Sequence, residues 1–397
     1  MDRKVNSDNF DDIRPLNDDE VPGAIESLIA SKGFKNALHY IMPELDWETF
    51  SRDMRKCKTT AQFKSTFSYN AVMAIAKKST FSLTISGKSR FPQNTACTLI
   101  SNHRDIVLDV AFLNILLYDI GQKLTQVAIG DNLLIYPWID TLVRLNNSFI
   151  VKRSVSVRQV FEASKKLSAY IHHTIKDTKE SLWIAQREGR AKDSNDYTQN
   201  SVLKMLGMGG DQDLLTNLMS LNIVPVAISY ETDPCDYLKA WEFQLKRDNP
   251  SFVKSKRDDL LNMEVGILQN KGRVHFTIGS PINPALEQLD PSLEKNELVA
   301  NIARIIDREI YMHYRFYPCN YAAYDMLYKT MRFRTGYDRR DKMQFEAYLC
   351  RQLNKIHLPD KDESFLRTKL LEMYSNPLKN NEQISKSQEI STVKDEG

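Results

Sequence analysis

Between Phe81 and Pro284 the chain alternates between two kinds of segment. Short runs of β-branched and large apolar residues recur at Phe81–Ser86, Ala96–Ser101, Ser148–Lys152, Ser181–Gln186, Ile223–Tyr230 and Val274–Ile278. Such side chains suit the pleated, half-buried surface of a strand. Helical runs stand between them. Asp109–Leu117 is mostly apolar. Val155–Ile175 puts Val157, Val160, Phe161, Ser164, Leu167, Ile171 and Ile175 on one stripe, with Lys165 and Lys166 off it. Strands separated by helices need crossover connections, which parallel pairing requires. The expected class is therefore α/β: a mixed, largely parallel sheet flanked by helices.

The flanks read differently. Residues 1–20 are acidic and polar and read as a disordered leader without the apolar stretch of a signal peptide. Residues 21–80 carry Phe34, Leu38, Ile41, Trp47, Phe50, Phe63 and Phe67 at spacings that predict a helical N-terminal lobe. The α/β domain is expected over 81–285 and a helical C-terminal lobe over 286–375. The helices of that lobe are expected at Leu298–Tyr314, Tyr321–Phe333, Lys342–Ile356 and Phe365–Tyr374. Residues 376–397 are polar and read as a disordered tail. These lobes either cap the main domain or rest on lipid. The second reading draws on the tyrosines of the C-terminal lobe, interleaved with arginines as at a headgroup layer.

Several function classes drop out on composition. Basic and acidic residues number 54 and 51, a balance that gives no reason to expect nucleic acid. The five cysteines are scattered singly with no CxxC pair, so neither a zinc site nor a disulfide framework is expected, and a reducing, cytoplasmic compartment is. No run approaches the ~20 apolar residues of a membrane span, so membrane contact is expected to be peripheral.

The stretch that carries chemistry is Ser101-Asn102-His103-Arg104-Asp105-Ile106-Val107-Leu108-Asp109. It leaves a strand and opens a helix, at the sheet end where parallel α/β proteins bind ligands. Asp109 sits on an apolar helical stripe with Phe112, Leu113 and Leu116, where a carboxylate is costly unless paired. His103 is its expected partner. A carboxylate on one imidazole nitrogen fixes the tautomer and frees the other nitrogen to accept a proton from a hydroxyl. On a continuous helix, six residues would leave the two side chains ~120° apart. The pair can meet only if His103 lies on the turn before the helix. Asp105 is the alternative partner, and it is also placed to cap the helix.

Three later blocks follow in order. The first is Asn147-Ser148-Phe149-Ile150-Val151-Lys152-Arg153, a strand ending in cations. The second is Gln186-Arg187-Glu188-Gly189-Arg190, a turn after the next strand. The third is the proline-bearing strand Ile223-Val224-Pro225-Val226. This ordered set, over about residues 95–285, resembles the glycerolipid acyltransferase family of glycerol-3-phosphate and 1-acylglycerol-3-phosphate acyltransferases. The family spaces its histidine and aspartate by four residues. Here five intervene and position 108 is Leu108, which reads as a divergent bacterial branch.

The resemblance implies acyl transfer from acyl carrier protein or coenzyme A thioester, as co-substrate, to a hydroxyl of a glycerol phosphate-like lipid, with no bound cofactor. It implies His103 as general base and Asp109 as the residue that orients it. Arg153 and Arg190 are then the acceptor's anion ligands. Glu188 holds Arg190 or an acceptor hydroxyl, and Gly189 admits close backbone approach. The implied location is the cytoplasmic face of a membrane. Two alternatives stand beside it: O-acylation of an amino-acid lipid, and a catalytically degenerate module that binds lipid or carrier protein.

Overall fold

Capping residues define the first helices. The computed structural model describes residues 10–153 and 156–395. Helices α1 (Val21–Ala30), α2 (Lys32–Ile41), α3 (Trp47–Met54), α4 (Thr60–Phe63) and α5 (Tyr69–Ser79) fill the N-terminal stretch. Ser31, Asp46 and Thr59 cap α2, α3 and α4 by accepting from the N–H groups of Phe34, Glu48 and Gln62. Strands β1 (Ser82–Ser86) and β2 (Thr98–Ser101) follow, then α6 (Leu108–Asp119), β3 (Gln126–Gly130), α7 (Pro137–Leu145) and β4 (Ser148–Val151). The chain continues through α8 (Val157–His173), β5 (Leu182–Ala185), α9 (Asn200–Leu206), α10 (Leu214–Met219) and β6 (Ile223–Tyr230). Next come α11 (Asp236–Asp248), α12 (Lys256–Leu268), β7 (Arg273–Ile278) and α13 (Asn283–Leu286). Helices α14 (Lys295–Met312), α15 (Pro318–Tyr328), α16 (Arg339–Asn354) and α17 (Glu363–Asp395) complete it.

The seven strands form one sheet in the order β1-β7-β6-β2-β5-β3-β4. All neighbours are parallel except β6 and β7, which pair antiparallel from Val226–Ile278 to Tyr230–Val274. The fold is thus α/β with a mixed, largely parallel sheet. Alternate residues of each strand serve two cores. Leu99, Val127 and Trp183 face α5 and α6, whereas Ile100, Ile184 and Phe149 face α8, α9 and α14. The chain leaves β2 over one face, through α6, to reach β3. It leaves β5 over the other face, through α9 and α10, to reach β6. The carboxyl ends of β2 and β5 therefore flank a switch point, where open α/β sheets bind ligands.

The structure differs from the sequence reading at both termini. Residues 1–9 of the expected leader lie outside the described residues. From Phe10 on the segment is packed: Phe10 and Ile13 are buried in the α8 core, and Ile150 of β4 donates its N–H to the Ile13 carbonyl at 2.8 Å. Two apolar side chains in an acidic stretch suffice, with Asp12 paired to Lys152 and Lys166. The expected disordered tail is helical to Asp395, continuing α17 with Leu378 buried; residues 396–397 are not described. Val155, the expected start of α8, is also outside the described residues.

The C-terminal helices close on α11 through polar contacts as well as apolar ones. The Asp236 carboxylate, at the start of α11, accepts from Tyr348 Oη and Tyr374 Oη, each at 2.7 Å, and from Gln352 Nε2 at 2.7 Å. Tyr317, Tyr337 and Tyr374 of this lobe belong to its core and Tyr348 packs against it, whereas Tyr328 is exposed. Burial, then the charge of Asp233, pushes the Asp236 carboxyl up to about 7. An acid with a raised folded-state pKa binds more protons folded than unfolded. Its contribution to stability is full below the unfolded value and fades as pH rises through about 7. Between pH 5 and 8 the melting temperature of the wild type should therefore fall more steeply than that of Asp236→Asn. Thermal melts across that range check this, and parallel curves would contradict it.

Candidate active site

Strand β2 is fixed at its end by Asn102, whose side chain donates to the Ile228 carbonyl at 2.9 Å and accepts the Ile228 N–H at 2.8 Å. The chain then turns, and His103 Nδ1 lies 2.7 Å from Asp109 Oδ2. The same oxygen accepts the backbone N–H of Arg104 at 2.6 Å and of Asp105 at 3.0 Å. Helix α6 begins only at Leu108, so His103 is on the preceding loop and the ~120° mismatch of a continuous helix does not arise. The additional residue of the five-residue spacing is taken up in the turn at Ile106–Val107.

Asp105 has another task. Its Oδ1 accepts the N–H groups of Val107 at 2.9 Å and Leu108 at 2.8 Å, capping the turn into α6. Burial, then the nearby Asp109 charge, pushes its carboxyl up. Its other oxygen rests on Gly266 of α12, where a Cβ would come within 2.1 Å.

The orientation of the imidazole follows from these bonds. Asp109 Oδ2 only accepts when ionised, so Nδ1 carries the proton and Nε2 is left as the basic atom. The ring packs edge-on against Trp183 at 5.6 Å, and Trp183 Nε1 donates to Ser101 Oγ at 2.9 Å. Behind the pair, Asp109 Oδ1 and the Tyr230 hydroxyl are buried without hydrogen-bond partners. Burial, then the charges of Asp109 and Asp105, hold that hydroxyl well above its usual pKa. Tyr230 therefore stays protonated beside Asp109.

His103, Arg153, Arg187, Glu188, Gly189 and Arg190 all line one cavity of about 2160 Å³. Asp109 lies behind its wall. The details at the basic rim differ from expectation. Arg190 Nη2 donates to Asn262 Oδ1 of α12 at 2.9 Å, and Nη1 is buried without a partner. Glu188 does not hold Arg190. It is exposed, its N–H donates to Gln199 Oε1 at 2.7 Å, and its carboxylate stands 3.9 Å from Arg153 Nε. Gly189 has φ +67° with nothing within 4 Å of an added Cβ, so glycine there serves the left-handed turn rather than a close approach within the chain. Arg187 was not singled out from the sequence. Its guanidinium lies over the Tyr197 ring at 5.1 Å with Nε buried and unpartnered. The signal was its place directly after β5, beside the Glu-Gly-Arg turn.

The cavity walls are apolar on both faces of the sheet. Leu38, Phe50 and Phe67 of the N-terminal lobe and Val110 and Ile115 of α6 line one side. Leu167 of α8 and Val202 and Met205 of α9 line the other. The N-terminal lobe thus builds a cavity wall beyond capping the domain. The remaining buried histidines are structural: His172 bonds the Leu206 carbonyl, and His275 bonds Thr84 and Ser86. Burial, then Arg315, pushes His275 down to about 4. Among the described residues no cluster of ligating side chains could hold a metal, and no helix is long and apolar enough to cross a membrane.

Replacing Gly266 by alanine should drive Asp105 off α12 and move the loop that carries His103. A melting temperature lowered by the equivalent of about 1–3 kcal/mol is expected, with turnover reduced about 10- to 100-fold. Calorimetry and initial rates check both; an unchanged variant would show that the seat of Asp105 is not needed.

Residues 82–229 match the family model described as Acyltransferase. No curated protein sequence matches significantly. Among solved structures the chain is similar to the 1-acyl-sn-glycerophosphate (LPA) acyltransferase PlsC of Thermotoga maritima, at 11% identity and a TM-score of 0.33. That alignment covers 72% of this chain and 92% of that one, and so loose a likeness carries no argument about substrate. The matched span opens at β1 and closes in β6, taking in the His103 loop, the β4 exit and the Glu188-Gly189 turn. The four sequence blocks thus lie within or beside a span, residues 82–229, that is similar to the acyltransferase family model.

Proposed function

We propose that the protein moves an acyl group from an acyl thioester, carried on acyl carrier protein or coenzyme A, to a hydroxyl of a glycerol-3-phosphate or 1-acylglycerol-3-phosphate-like lipid. The observation that carries this is the His103–Asp109 pair at the switch point, its basic nitrogen freed beside a cavity with an arginine rim. His103 Nε2 takes the proton of the acceptor hydroxyl as its oxygen attacks the thioester carbonyl. Asp109 stabilises the imidazolium that forms. As the tetrahedral intermediate collapses, the C–S bond breaks and the departing thiolate takes the proton back from Nε2. A C–O bond has replaced a C–S bond, with no cofactor called for.

Arg153, Arg187 and Arg190 supply cations for the acceptor's phosphate, since a guanidinium offers a planar, bidentate fork. Apolar lining on both faces of the sheet favours an acceptor that already carries one chain: donor chain on one side, acceptor chain on the other. Val160, half exposed on the cavity wall, and its exposed neighbour Phe161 suit delivery from a membrane surface.

Initial rates with long-chain acyl carrier protein or acyl coenzyme A and each acceptor test the reading. His103→Ala should lower kcat/KM by about 10²–10⁴, and Asp109→Asn by up to about 10⁴ through the wrong tautomer. Full activity in His103→Ala would exclude the base. Met205→Trp, which fills the α8–α9 side, should raise KM several-fold for one of the two chain-bearing substrates while leaving KM for the other unchanged. Equal effects on both would remove the separation of the two chains.

A further inference from the structure

The acyltransferase family match ends at residue 229, yet a helix far beyond it reaches the site. The link runs through Arg104, the residue after His103. Its N–H is held by Asp109 Oδ2, and its carbonyl accepts from Lys239 Nζ at 3.4 Å. Its guanidinium pairs with Asp196 Oδ2 at 2.7 Å, with both side chains buried. Arg104 is thus fixed at backbone N–H, carbonyl and side chain.

Asp196 is in turn held by the end of α14 and the segment that follows it. Tyr314 Oη donates to Asp196 Oδ2 at 2.6 Å, and the Tyr314 ring faces the Arg104 guanidinium at 5.9 Å. Tyr311 Oη donates to the Asp196 carbonyl. One turn back, Asp307 Oδ1 accepts the N–H of Thr198 at 2.7 Å and its hydroxyl at 2.6 Å. Two side chains of α14 and Tyr314 just beyond its end therefore grip residues 196–198. The next residue, Gln199, accepts the N–H of Glu188 and donates its own N–H to the Gln186 carbonyl. One short segment holds the His103 loop through Arg104 and the Glu188-Gly189 turn through Gln199.

We infer that Tyr314, with Asp196, is a positioning residue for acyl transfer: the end of α14 and the segment that follows it set the distance between the base on one loop and the anion-binding turn on the other. This rests on the proposed function only for its kinetic reading. The geometric part is independent of any substrate. Burial of so many polar groups between α14, Tyr314 and one loop has a clear purpose on this account: the Gln186 N–H to Ser101 carbonyl bond of 2.8 Å ties the two strand ends, and the contacts of Arg104 and Gln199 carry that spacing out to His103 and the Glu188-Gly189 turn.

The test compares Tyr314→Phe with Ile306→Val, a substitution in the apolar core of the adjoining helix α14. Two quantities are measured on the full chain. Hydrogen–deuterium exchange should quicken at least several-fold in peptides covering 102–109 and 186–199 in Tyr314→Phe, and not in Ile306→Val. With acyl thioester and acceptor, kcat of Tyr314→Phe should fall about 10- to 100-fold at nearly unchanged KM for the thioester, while Ile306→Val keeps its kcat. Unchanged exchange in 102–109 would overturn the inference whether or not the protein turns over these substrates. So would quickened exchange with full kcat in an active enzyme. A wild type without turnover, but with the expected exchange pattern, would count against the proposed reaction and leave the positioning supported.

Discussion

One carboxylate oxygen organises the candidate site. Asp109 Oδ2 receives the His103 imidazole and the backbone N–H groups of Arg104 and Asp105. Charge-assisted bonds of this kind are among the stronger ones available to a protein. Three of them on one atom bend the chain between β2 and α6 into a single shape. Orienting the base and folding the loop are therefore the same event. The wholly buried carboxylate could not stand there alone.

Around that core the site is held by charges rather than by apolar packing. Arg104 with Asp196, and Lys239 with Asp233, are buried pairs. Such pairs add little net stability, but removing one partner strands the other and costs about 3–5 kcal/mol. Their value is that each has a direction. Apolar contacts tolerate sliding, whereas these bonds specify where Arg104, and so His103, must be. The C-terminal lobe enters the same scheme, because Tyr314 Oη donates to Asp196 and Tyr374 Oη accepts the N–H of Asp233.

Much of this was legible in the sequence. Six strands and the helical flanks follow from periodicity, and the His103–Asp109 pairing follows from the cost of a carboxylate on an apolar stripe. The pattern failed where burial is polar. Helix α11 buries Asp236, Lys239, Glu242 and Gln244, so a search for apolar stripes passes over it. Strand β3 has only five residues, Gln126 to Gly130, and it was missed for want of a longer run. The grip of Asp307 and Tyr314 on residues 196–198 joins groups more than a hundred positions apart, and no spacing rule reports that. The arginine roles depended on which neighbour each guanidinium reaches. Arg190 reaches Asn262, and Arg187 keeps a free buried nitrogen.

The central claim is that Asp109 fixes His103 with its proton on Nδ1 and its basic nitrogen toward the cavity. Long-range nitrogen–proton correlation spectra of protein labelled with ¹⁵N-histidine, assigned by loss of one spin system in His103→Gln, read that state directly. The account predicts a single neutral tautomer with Nδ1 protonated and Nε2 bare. A ring protonated on Nε2, or one averaging between both forms, would contradict it.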